Sequence, residues 1–383
     1  MDLRFPLAIY KEKMILMNNF QAKPEKLLNQ EIEAAKEVIR SGWYVLGEKV
    51  RNFEKNWAKK CGVSFSIGVG NGMDAIEIGL RSLNIGSGDE VITTPMTAFA
   101  TVLAIIRTGA IPVLADIDPE TALLDLNSVK RCLSSKTKAL LLVHLYGQIR
   151  NMDKWVSLCK EANIYLLEDC AQAHSASWKN RVAGSFGTWG AYSFYPTKNL
   201  GTIGDGGALI TDLEEVANLA KVLRNYGQTK RYYHEKTGLN SRLDELHAGI
   251  LSVRLQWLER FNLRRKQIAK NYLNQIVNPC VRHLAPPPDI ENHVYHLFVI
   301  LCKQRDQLIE FLHNRNIQSV IHYPVPVHHQ SPCKKIPCDP KGLVNTENHA
   351  KQCLSIPCNP QMSDEEVQTV INVVNEFESG NIY

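Results

Sequence analysis

The alternation of short apolar runs with helical patterns constrains the fold of this chain more than any other feature of its sequence. Five strand-like runs stand between residues 30 and 225: Ser66–Val69, Glu90–Thr93, Ile111–Ala115, Lys138–His144 and Asn163–Leu167. Three segments with helical periodicity lie among them: Asp74–Leu83, Phe99–Arg107 and Asp153–Glu161. This alternation is typical of an α/β domain with a mostly parallel sheet. The continuous apolar run Ala139–Val143 also indicates a strand that is covered on both faces.

A second pattern follows this region. From Ser241 to about Gln275, leucine and isoleucine recur at helical spacing, which predicts one long helix. Beyond Pro279 the sequence predicts a smaller α+β domain with one strand and two helices: His293–Leu301, Gln304–Asn314 and Ser363–Glu376. We therefore expect an N-terminal extension over residues 1–26, a large α/β domain over 27–260 and a small C-terminal α+β domain over 261–383. The boundary is expected near Arg260 to Asn278.

Composition and charge exclude several classes of protein. Of the 383 residues, 44% are hydrophobic and 22% are charged, and the net charge of +5 comes without clustered Lys/Arg runs, so we expect no nucleic-acid partner. The ten cysteines are scattered, unlike those of a short disulfide-rich protein. Charged residues at positions 11–13 interrupt the first apolar stretch, and no apolar run reaches the roughly 18 residues of a membrane helix. We expect a cytoplasmic protein without a membrane partner.

The segment from Tyr165 to Gly207 carries the residues best suited to chemistry. A buried strand ends in Asp169, and ligands of open α/β sheets bind at such carboxyl ends. A short aromatic strand then runs into a glycine-rich turn that carries Lys198. Chemistry with pyridoxal 5'-phosphate (PLP) needs an amine for the Schiff base and a carboxylate that keeps the pyridine nitrogen protonated. Taken singly, Asp169 is equally compatible with a helix N-cap, and Lys198 with a solvated loop residue.

Three motifs in this segment resemble those of a known family. The first two read Glu-Asp-Cys-Ala-Gln-Ala-His at Glu168–His174 and Ser-Phe-Tyr-Pro-Thr-Lys-Asn-Leu-Gly at Ser193–Gly201. The third is Gly-Asp-Gly-Gly at Gly204–Gly207. They are similar to the motifs of the DegT/DnrJ/EryC1/StrS family of PLP-dependent sugar-nucleotide aminotransferases. The resemblance extends over roughly residues 27–377 and implies the aspartate-aminotransferase-like fold of type I.

The resemblance also implies roles for individual residues. Lys198 would form the Schiff base, and Asp169 would pair with the ring nitrogen of the cofactor. Gln172 would lie against the cofactor ring, and Ser193 would bond its phosphate.

A glycine-rich turn at Gly68–Ala75 follows a strand and opens a helix, whose N-terminal amides favour phosphate. The dinucleotide-binding motif G-x-G-x-x-G fails here because it would need glycine in place of Met73. The corresponding turn in the family holds the PLP phosphate through backbone amides, which implies Gly72 and Met73 here.

Asn240 stands just before the predicted long helix, where the local sequence reads as a helix cap. The asparagine at this point in the family reaches the PLP phosphate of the neighbouring subunit. The resemblance therefore implies a homodimer in which Asn240 completes the partner's site.

A second loop contains most of the residues that we predict to contact the substrate. His322, Tyr323 and His328 lie in a segment that resembles the family's Tyr-Pro-x-Pro-x-His loop, and with Tyr195 they are our candidates for substrate contact. The histidines of this loop, including His329, are also potential metal ligands. So are Cys333/Cys338 and Cys353/Cys358, although structural zinc prefers C-x2-C to this C-x4-C spacing. We expect no metal.

One position departs from the family pattern. Ala98 stands where the family usually carries an aromatic residue that stacks on the PLP ring, and Phe99 comes one residue later. Either Phe99 takes that place after a local shift, or that face of the ring is packed otherwise.

The reaction implied by the resemblance is amino transfer. Some family members replace the lysine with histidine and are dehydratases, so Lys198 favours transamination. Glutamate would donate the amino group, pyridoxamine phosphate would carry it, and a keto-sugar nucleotide would accept it. The segments 225–233 and 238–246 resemble the subgroup that acts at C3 of dTDP-3-keto-6-deoxyhexoses. The alternative is C4 amination of a UDP-, GDP- or dTDP-4-keto sugar. Either product would serve O-antigen, other glycans or secondary metabolites.

Two other classes remain open on the sequence. A PLP-dependent lyase such as a cysteine desulfurase would need a mobile catalytic cysteine, for which Cys333 or Cys338 would have to serve. A non-catalytic PLP-binding regulator would usually add a DNA-binding domain, and the sequence shows no such segment.

Overall fold

The structure is a computed structural model that describes residues 14–378. Residues 1–13, the first part of the expected N-terminal extension, lie outside this range. The helices of the described part are α1 (Glu25–Ser41), α2 (Glu48–Cys61), α3 (Gly72–Ser82), α4 (Phe99–Arg107), α5 (Leu126–Cys132), α6 (Met152–Ala162), α7 (Glu214–Leu223), α8 (Glu245–Leu255), α9 (Leu258–Gln275), α10 (Arg305–His313), α11 (Val344–Gln352) and α12 (Asp364–Glu376).

The strands of the described part form one large sheet and three small ones. They are β1 (Phe65–Val69), β2 (Glu90–Thr93), β3 (Ile111–Leu114), β4 (Thr137–Val143), β5 (Tyr165–Asp169), β6 (Ser177–Trp178), β7 (Arg181–Val182), β8 (Trp189–Ser193), β9 (Gly207–Thr211), β10 (Gln228–Lys230), β11 (Tyr233–His234), β12 (Val281–His283), β13 (Phe298–Cys302) and β14 (Cys353–Ile356).

The central sheet has seven strands in the order β1-β9-β8-β5-β4-β2-β3. From β8 to β3 all neighbours pair in parallel, and β9 alone runs antiparallel to both of its neighbours. The expected α/β fold with a mixed, mostly parallel sheet is confirmed. Because β5 and β8 are parallel neighbours, the residues that follow them emerge at the same edge of the sheet.

Both faces of this sheet are buried, as the apolar sequence of β4 predicts. Leu140 and Leu142 belong to one core cluster, whereas Ala139 and Leu141 belong to another on the opposite face. On that second face α3 packs very closely, since a Cβ added to Gly79 would lie 2.5 Å from the Trp189 ring.

A second core follows in the C-terminal part of the chain. Strands β12, β13 and β14 form an antiparallel sheet, and a separate apolar cluster joins residues of this sheet with residues of α9, α10 and α12. Ile15 also belongs to this cluster, and its amide donates to the Asn316 carbonyl at 2.8 Å. The start of the described chain is therefore packed against its C-terminal part.

The prediction of one long helix after Ser241 is wrong. The chain forms α8 and α9, separated at Gln256 and Trp257, where the sequence has neither glycine nor proline. The two helices serve different cores, because Leu251 packs with the central sheet and Tyr272 packs in the C-terminal cluster. The leucine and isoleucine spacing continues across the break, so periodicity alone does not reveal it.

Several strands differ from the prediction, and short strands such as β6, β7, β10, β11 and β12 were not predicted. The strand expected at Asn163–Leu167 lies two residues later, as β5, and the one expected at His293–Leu301 begins only at Phe298. Strand β9 was not predicted, although all five of its residues are buried. Among residues 14–378, no helix has the length and apolar character needed to cross a membrane.

Leu209 on β9 tests how much the α3-facing core contributes to stability. Its side chain is fully buried, and truncation would leave a cavity under α3. We expect Leu209→Ala to lower the free energy of unfolding by about 2–5 kcal/mol. Leu263→Ala, at a side chain that is 55% exposed on α9, should change it by less than about 0.5 kcal/mol. Urea denaturation at one protein concentration measures both, and equal effects would contradict this account of the core.

Candidate active site

Asp169 is the last residue of β5, and its carboxylate is buried at the carboxyl edge of the sheet. The hydroxyl of Thr101 donates to its Oδ2 at 2.8 Å, and the amide of Ala171 donates to its Oδ1 at 3.1 Å. Burial raises the pKa of Asp169, whereas these two hydrogen bonds and the charge of Lys198 lower it. The residues after Asp169 form a turn and no helix, so the N-cap interpretation does not hold.

Lys198 lies in the loop between β8 and β9, and its own amide donates to the Tyr195 carbonyl at 2.9 Å. Burial lowers the pKa of the Lys198 amine to about 8, although the nearby Asp169 carboxylate acts in the opposite direction. Within residues 14–378, no side-chain hydrogen bond acts on this amine, and Asp169 is the charge that does. Lys198 is therefore a half-buried, desolvated amine beside a buried carboxylate, and not a solvated loop lysine.

The neighbouring Asn199 holds this loop in place. Its side-chain amide donates to Asn262 at 2.8 Å and to the Val294 carbonyl at 3.0 Å, and its Oδ1 lies 3.2 Å from Nδ1 of His296. Because Asn199 is buried and bonded on both sides, the backbone position of Lys198 is well determined.

The N-terminus of α3 lies against the end of β8. Asn71 caps the helix by accepting from the Asp74 amide at 2.9 Å, while the amides of Gly72 and Met73 precede the first intrahelical hydrogen bonds. A Cβ added to Gly72 would lie 2.7 Å from the Cβ of Ser193, so only glycine allows this close approach. Two backbone amides and a serine hydroxyl thus stand together, which is a donor set suited to phosphate.

Gln172 links the site to the C-terminal part of the chain. Its Oε1 accepts from the Tyr146 amide at 2.6 Å, and its Nε2 donates to the hydroxyl of Tyr323 at 3.1 Å. Burial, with a contribution from the Asp169 charge, raises the pKa of Tyr323 to about 12, so this hydroxyl keeps its proton at neutral pH. The ring of His322 bonds a different partner, with Nδ1 2.8 Å from the Ser355 hydroxyl.

Within one chain, three predicted site residues do not join Asp169, Lys198 and Gln172. Tyr195 is 51% exposed beside the Lys198 loop, and Asn240 is exposed and pairs with Asn225. His328 bonds Glu347 of α11, with 3.3 Å between Nε2 and Oε1.

Several residues that were not predicted from the sequence support Asp169 and its strand. The hydroxyl of Thr97 lies 2.8 Å from that of Thr101, which in turn donates to Asp169. Glu168 is fully buried and accepts from Nε2 of His144 at 2.8 Å. Three amides also donate to Glu168 at 2.8 Å, those of Gly184, Phe186 and Gly187. The sequence did contain a signal for this supporting role, because a second acid, Glu168, stands next to Asp169 in a buried strand.

The structure shows where the Phe99 side chain packs. Ala98 precedes α4 as its N-cap, and Phe99 packs against a small cluster that includes Val327 and Cys333. Phe99 is therefore committed to apolar packing with the C-terminal part, which favours the interpretation that this face of the cofactor ring is packed otherwise.

Comparison with known proteins identifies the family. The model of the DegT/DnrJ/EryC1/StrS aminotransferase family matches residues 25–375. This chain belongs to that family. The dTDP-3-amino-3,6-dideoxy-alpha-D-galactopyranose transaminase of Aneurinibacillus thermoaerophilus is 43% identical over 345 residues, which cover 90% of this chain and 94% of the relative.

Solved structures with a similar fold were also found. DesV from S. venezuelae superimposes with a TM-score of 0.91 at 38% identity, covering 95% of this chain and 98% of DesV. NtdA from Bacillus subtilis, solved with its bound cofactor pyridoxamine phosphate, gives a TM-score of 0.86 at 26% identity, covering 97% of this chain and 86% of NtdA. The chain has the type I fold and is a PLP-dependent aminotransferase.

The described residues fit this cofactor. The α3 amides and Ser193 suit a phosphate, the Asp169 carboxylate suits a pyridinium nitrogen, and the Lys198 amine suits an aldehyde. The close approach between Gly72 and Ser193 leaves no Cβ in the phosphate-binding turn. Among residues 14–378, Thr101 and Ala171 donate to Asp169, and the Tyr195 amide donates to the Ser193 hydroxyl at 3.3 Å.

Thr101→Val tests whether the hydroxyl supports the buried carboxylate. The change removes a donor to Asp169 and the acceptor of Thr97 while keeping the side-chain shape. We expect a loss of about 1–3 kcal/mol in the free energy of unfolding. Thr369→Val, at an exposed helical threonine that bonds only the Glu365 carbonyl, is the matched control and should change it by less than about 0.5 kcal/mol. Urea denaturation compares them, and a Thr101→Val protein as stable as the control would refute the role.

Proposed function

We propose that Lys198 is the catalytic residue of this aminotransferase and carries the cofactor between turnovers. The observation that supports this most directly is its desolvated amine beside the buried Asp169 carboxylate. When bound, the cofactor supplies an electron sink that stabilises negative charge on the substrate carbon. Asp169 would hold a proton on the ring nitrogen. The amides of Gly72 and Met73, with Ser193, would bind the phosphate.

Lys198 would also move the proton in each half-reaction. With a pKa of about 8, roughly one-tenth of the free amine is neutral at pH 7, more than 100-fold above an ordinary lysine. Nζ of Lys198 can therefore take a proton as a base near neutral pH and return it as an acid. Gln172 would lie against the cofactor ring, with Tyr323 held to it by their hydrogen bond.

The substrate we propose is a dTDP-3-keto-6-deoxyhexose that is aminated at C3, with glutamate as the amino donor. The support comes from the 43% identical relative, whose name specifies a dTDP-linked sugar with the amino group at C3. C4 amination of a UDP-, GDP- or dTDP-4-keto sugar is not favoured by this relative. Tyr195 and Tyr323 are the candidates for contact with the sugar. The carbonyl of Tyr195 accepts from the Lys198 amide, and the hydroxyl of Tyr323 accepts from Gln172.

We further propose a homodimer with shared active sites and a cytoplasmic location. Asn240 is exposed and its backbone pairs with Asn225, which leaves its side chain accessible to a partner. The ten cysteines are all free thiols, which supports a reducing compartment.

A cysteine-dependent lyase is not supported. Such an enzyme needs a mobile, accessible thiolate, whereas Cys333 is 1% exposed in an apolar cluster. Burial also raises the pKa of both Cys333 and Cys338, which disfavours the reactive thiolate.

The reactivity of the Lys198 amine can be measured in the cofactor-free protein. Its labelling rate with trinitrobenzenesulfonate, followed by peptide mass spectrometry, should rise with pH to a midpoint near 8, because only the neutral amine reacts. Exposed lysines should show midpoints near 10.4. Asp169→Asn removes the charge that raises this pKa, so the midpoint should fall further. A midpoint above 10 in the unmodified protein would contradict the proposed environment.

One assay tests the catalytic role of Lys198 and the proposed substrate together. Lys198→Ala should lower the rate of amino-sugar formation from glutamate by about 100- to 10,000-fold, because the proton-transfer group is gone. Lys179→Ala, at an exposed turn lysine, is the control and should keep full activity. Mass spectrometry should detect an amino sugar from dTDP-3-keto-6-deoxyhexoses. Turnover by Lys198→Ala would reject the role of Lys198, and amination of 4-keto sugars alone would reject the substrate.

A further inference from the structure

We propose that His328, His329 and Glu347 form a binding site for one divalent transition-metal ion, with zinc as the best match. The site lies outside the residues assigned to the cofactor, and the inference does not depend on the proposed function. It differs from the expectation of no metal because the sequence does not reveal that Glu347 lies opposite the two histidines.

The ligand atoms have the spacing that a tetrahedral ion requires. Nε2 of His328 lies 3.3 Å from Oε1 of Glu347, and Nε2 of His329 lies 3.6 Å from the same oxygen. One ligand atom from each residue lies within 4.8 Å of the others. Bonds of about 2.0–2.1 Å from zinc to nitrogen and oxygen place tetrahedral ligands about 3.3 Å apart. The two distances from the histidines to Glu347 are near this value, and the two histidine ligand atoms lie within 4.8 Å of each other.

Both sides of the site stand on well-anchored backbone. The histidines belong to a short helical turn, Val327–His329, whose first residue is buried and donates its amide to the Pro95 carbonyl at 3.0 Å. Glu347 is in the first turn of α11, and Asp116 holds that turn by accepting the Thr346 amide at 2.9 Å. Ligands on fixed elements lower the ordering cost of metal binding.

The chemistry of the ligand set selects the ion. Two imidazoles and one carboxylate suit zinc and its first-row neighbours, whereas magnesium and calcium prefer oxygen ligands alone. Three protein ligands leave a fourth position for water. A simple ion pair explains the cluster less well, because both rings converge on one oxygen and 3.6 Å is too long for a hydrogen bond from His329. A cation would satisfy both nitrogens and the carboxylate together.

The surroundings set the expected affinity. Metal-ligating histidines usually donate their second ring nitrogen to an acceptor, and loss of that contact costs about 10- to 100-fold in affinity. Nδ1 of His328 is buried without a hydrogen-bond partner among residues 14–378. The weaker structural zinc sites have Kd values of roughly 50 nM. We therefore expect a Kd of about 0.5–5 µM here.

Occupancy would affect the active site through the chain itself. His328 follows Tyr323 by only five residues, and Tyr323 accepts the hydrogen bond from Gln172. A bound ion would link helix α11 to the loop that contains Tyr323 and His328.

The test is calorimetric titration of the full-length, cofactor-loaded protein, with any affinity tag removed, by zinc chloride. We expect one ion per chain with the Kd given above. His329→Gln and Glu347→Gln should each raise the Kd by at least about 10-fold, because each removes one of three ligands. His313→Gln, at an exposed histidine that ends α10, is the matched control and should leave the Kd unchanged.

Two results would overturn the proposal: no saturable binding up to about 100 µM free zinc, or wild-type Kd values in both ligand variants. Retained cofactor absorbance and thermal unfolding show that the variants are folded. Should one variant fail to fold, zinc-edge anomalous diffraction from wild-type crystals decides the matter. A peak between the three side chains supports the site, and a peak elsewhere or none rejects it.

Discussion

The buried carboxylate of Asp169 at the end of β5 is the group on which the rest of the site depends. Moving a charge out of water is costly unless hydrogen bonds or an opposite charge compensate. Here Thr101 and Ala171 supply the hydrogen bonds, and Lys198 supplies the charge. Burial acts in opposite directions on the two groups, because it raises the pKa of the acid and lowers that of the amine. The parallel pairing of β5 with β8 brings both groups to one edge of the sheet.

Glu168, the neighbour of Asp169, determines the geometry of the loop before β8. Successive residues of a strand point to opposite faces, so Glu168 faces away from the Asp169 carboxylate. Glu168 accepts the amides of Gly184, Phe186 and Gly187, which fixes the loop that leads into β8. The start of β8 in turn sets where Ser193 and Lys198 emerge. Glu168 thus positions a loop, while Asp169 is the residue for which we propose contact with the cofactor.

The sequence predicts part of this arrangement, for physical reasons that can be stated. Strand β2 and helix α4 were located to the residue, because each is a short, largely apolar run that ends at a polar residue, Thr93 or Arg107. The break between α8 and α9 could not be predicted, since it comes from packing in two cores and leaves no breaker residue. Thr101 was missed because its partner Asp169 is 68 residues away and nothing local marks the contact. The orientation of His328 toward Glu347 likewise depends on where α11 packs.

Two kinds of contact join the C-terminal part to the site, and their magnitudes assign them different roles. An apolar cluster packs Tyr146 with Leu297 and Val299, and each fully buried side chain of this kind contributes about 1.5–3 kcal/mol. The hydrogen bond between Gln172 and Tyr323 contributes only about 0.5–1.5 kcal/mol net. Apolar packing therefore fixes where the C-terminal part sits. The hydrogen bond selects, within that position, which way the Tyr323 hydroxyl points, and leaving Gln172 unpaired in a buried site would cost more than the bond contributes.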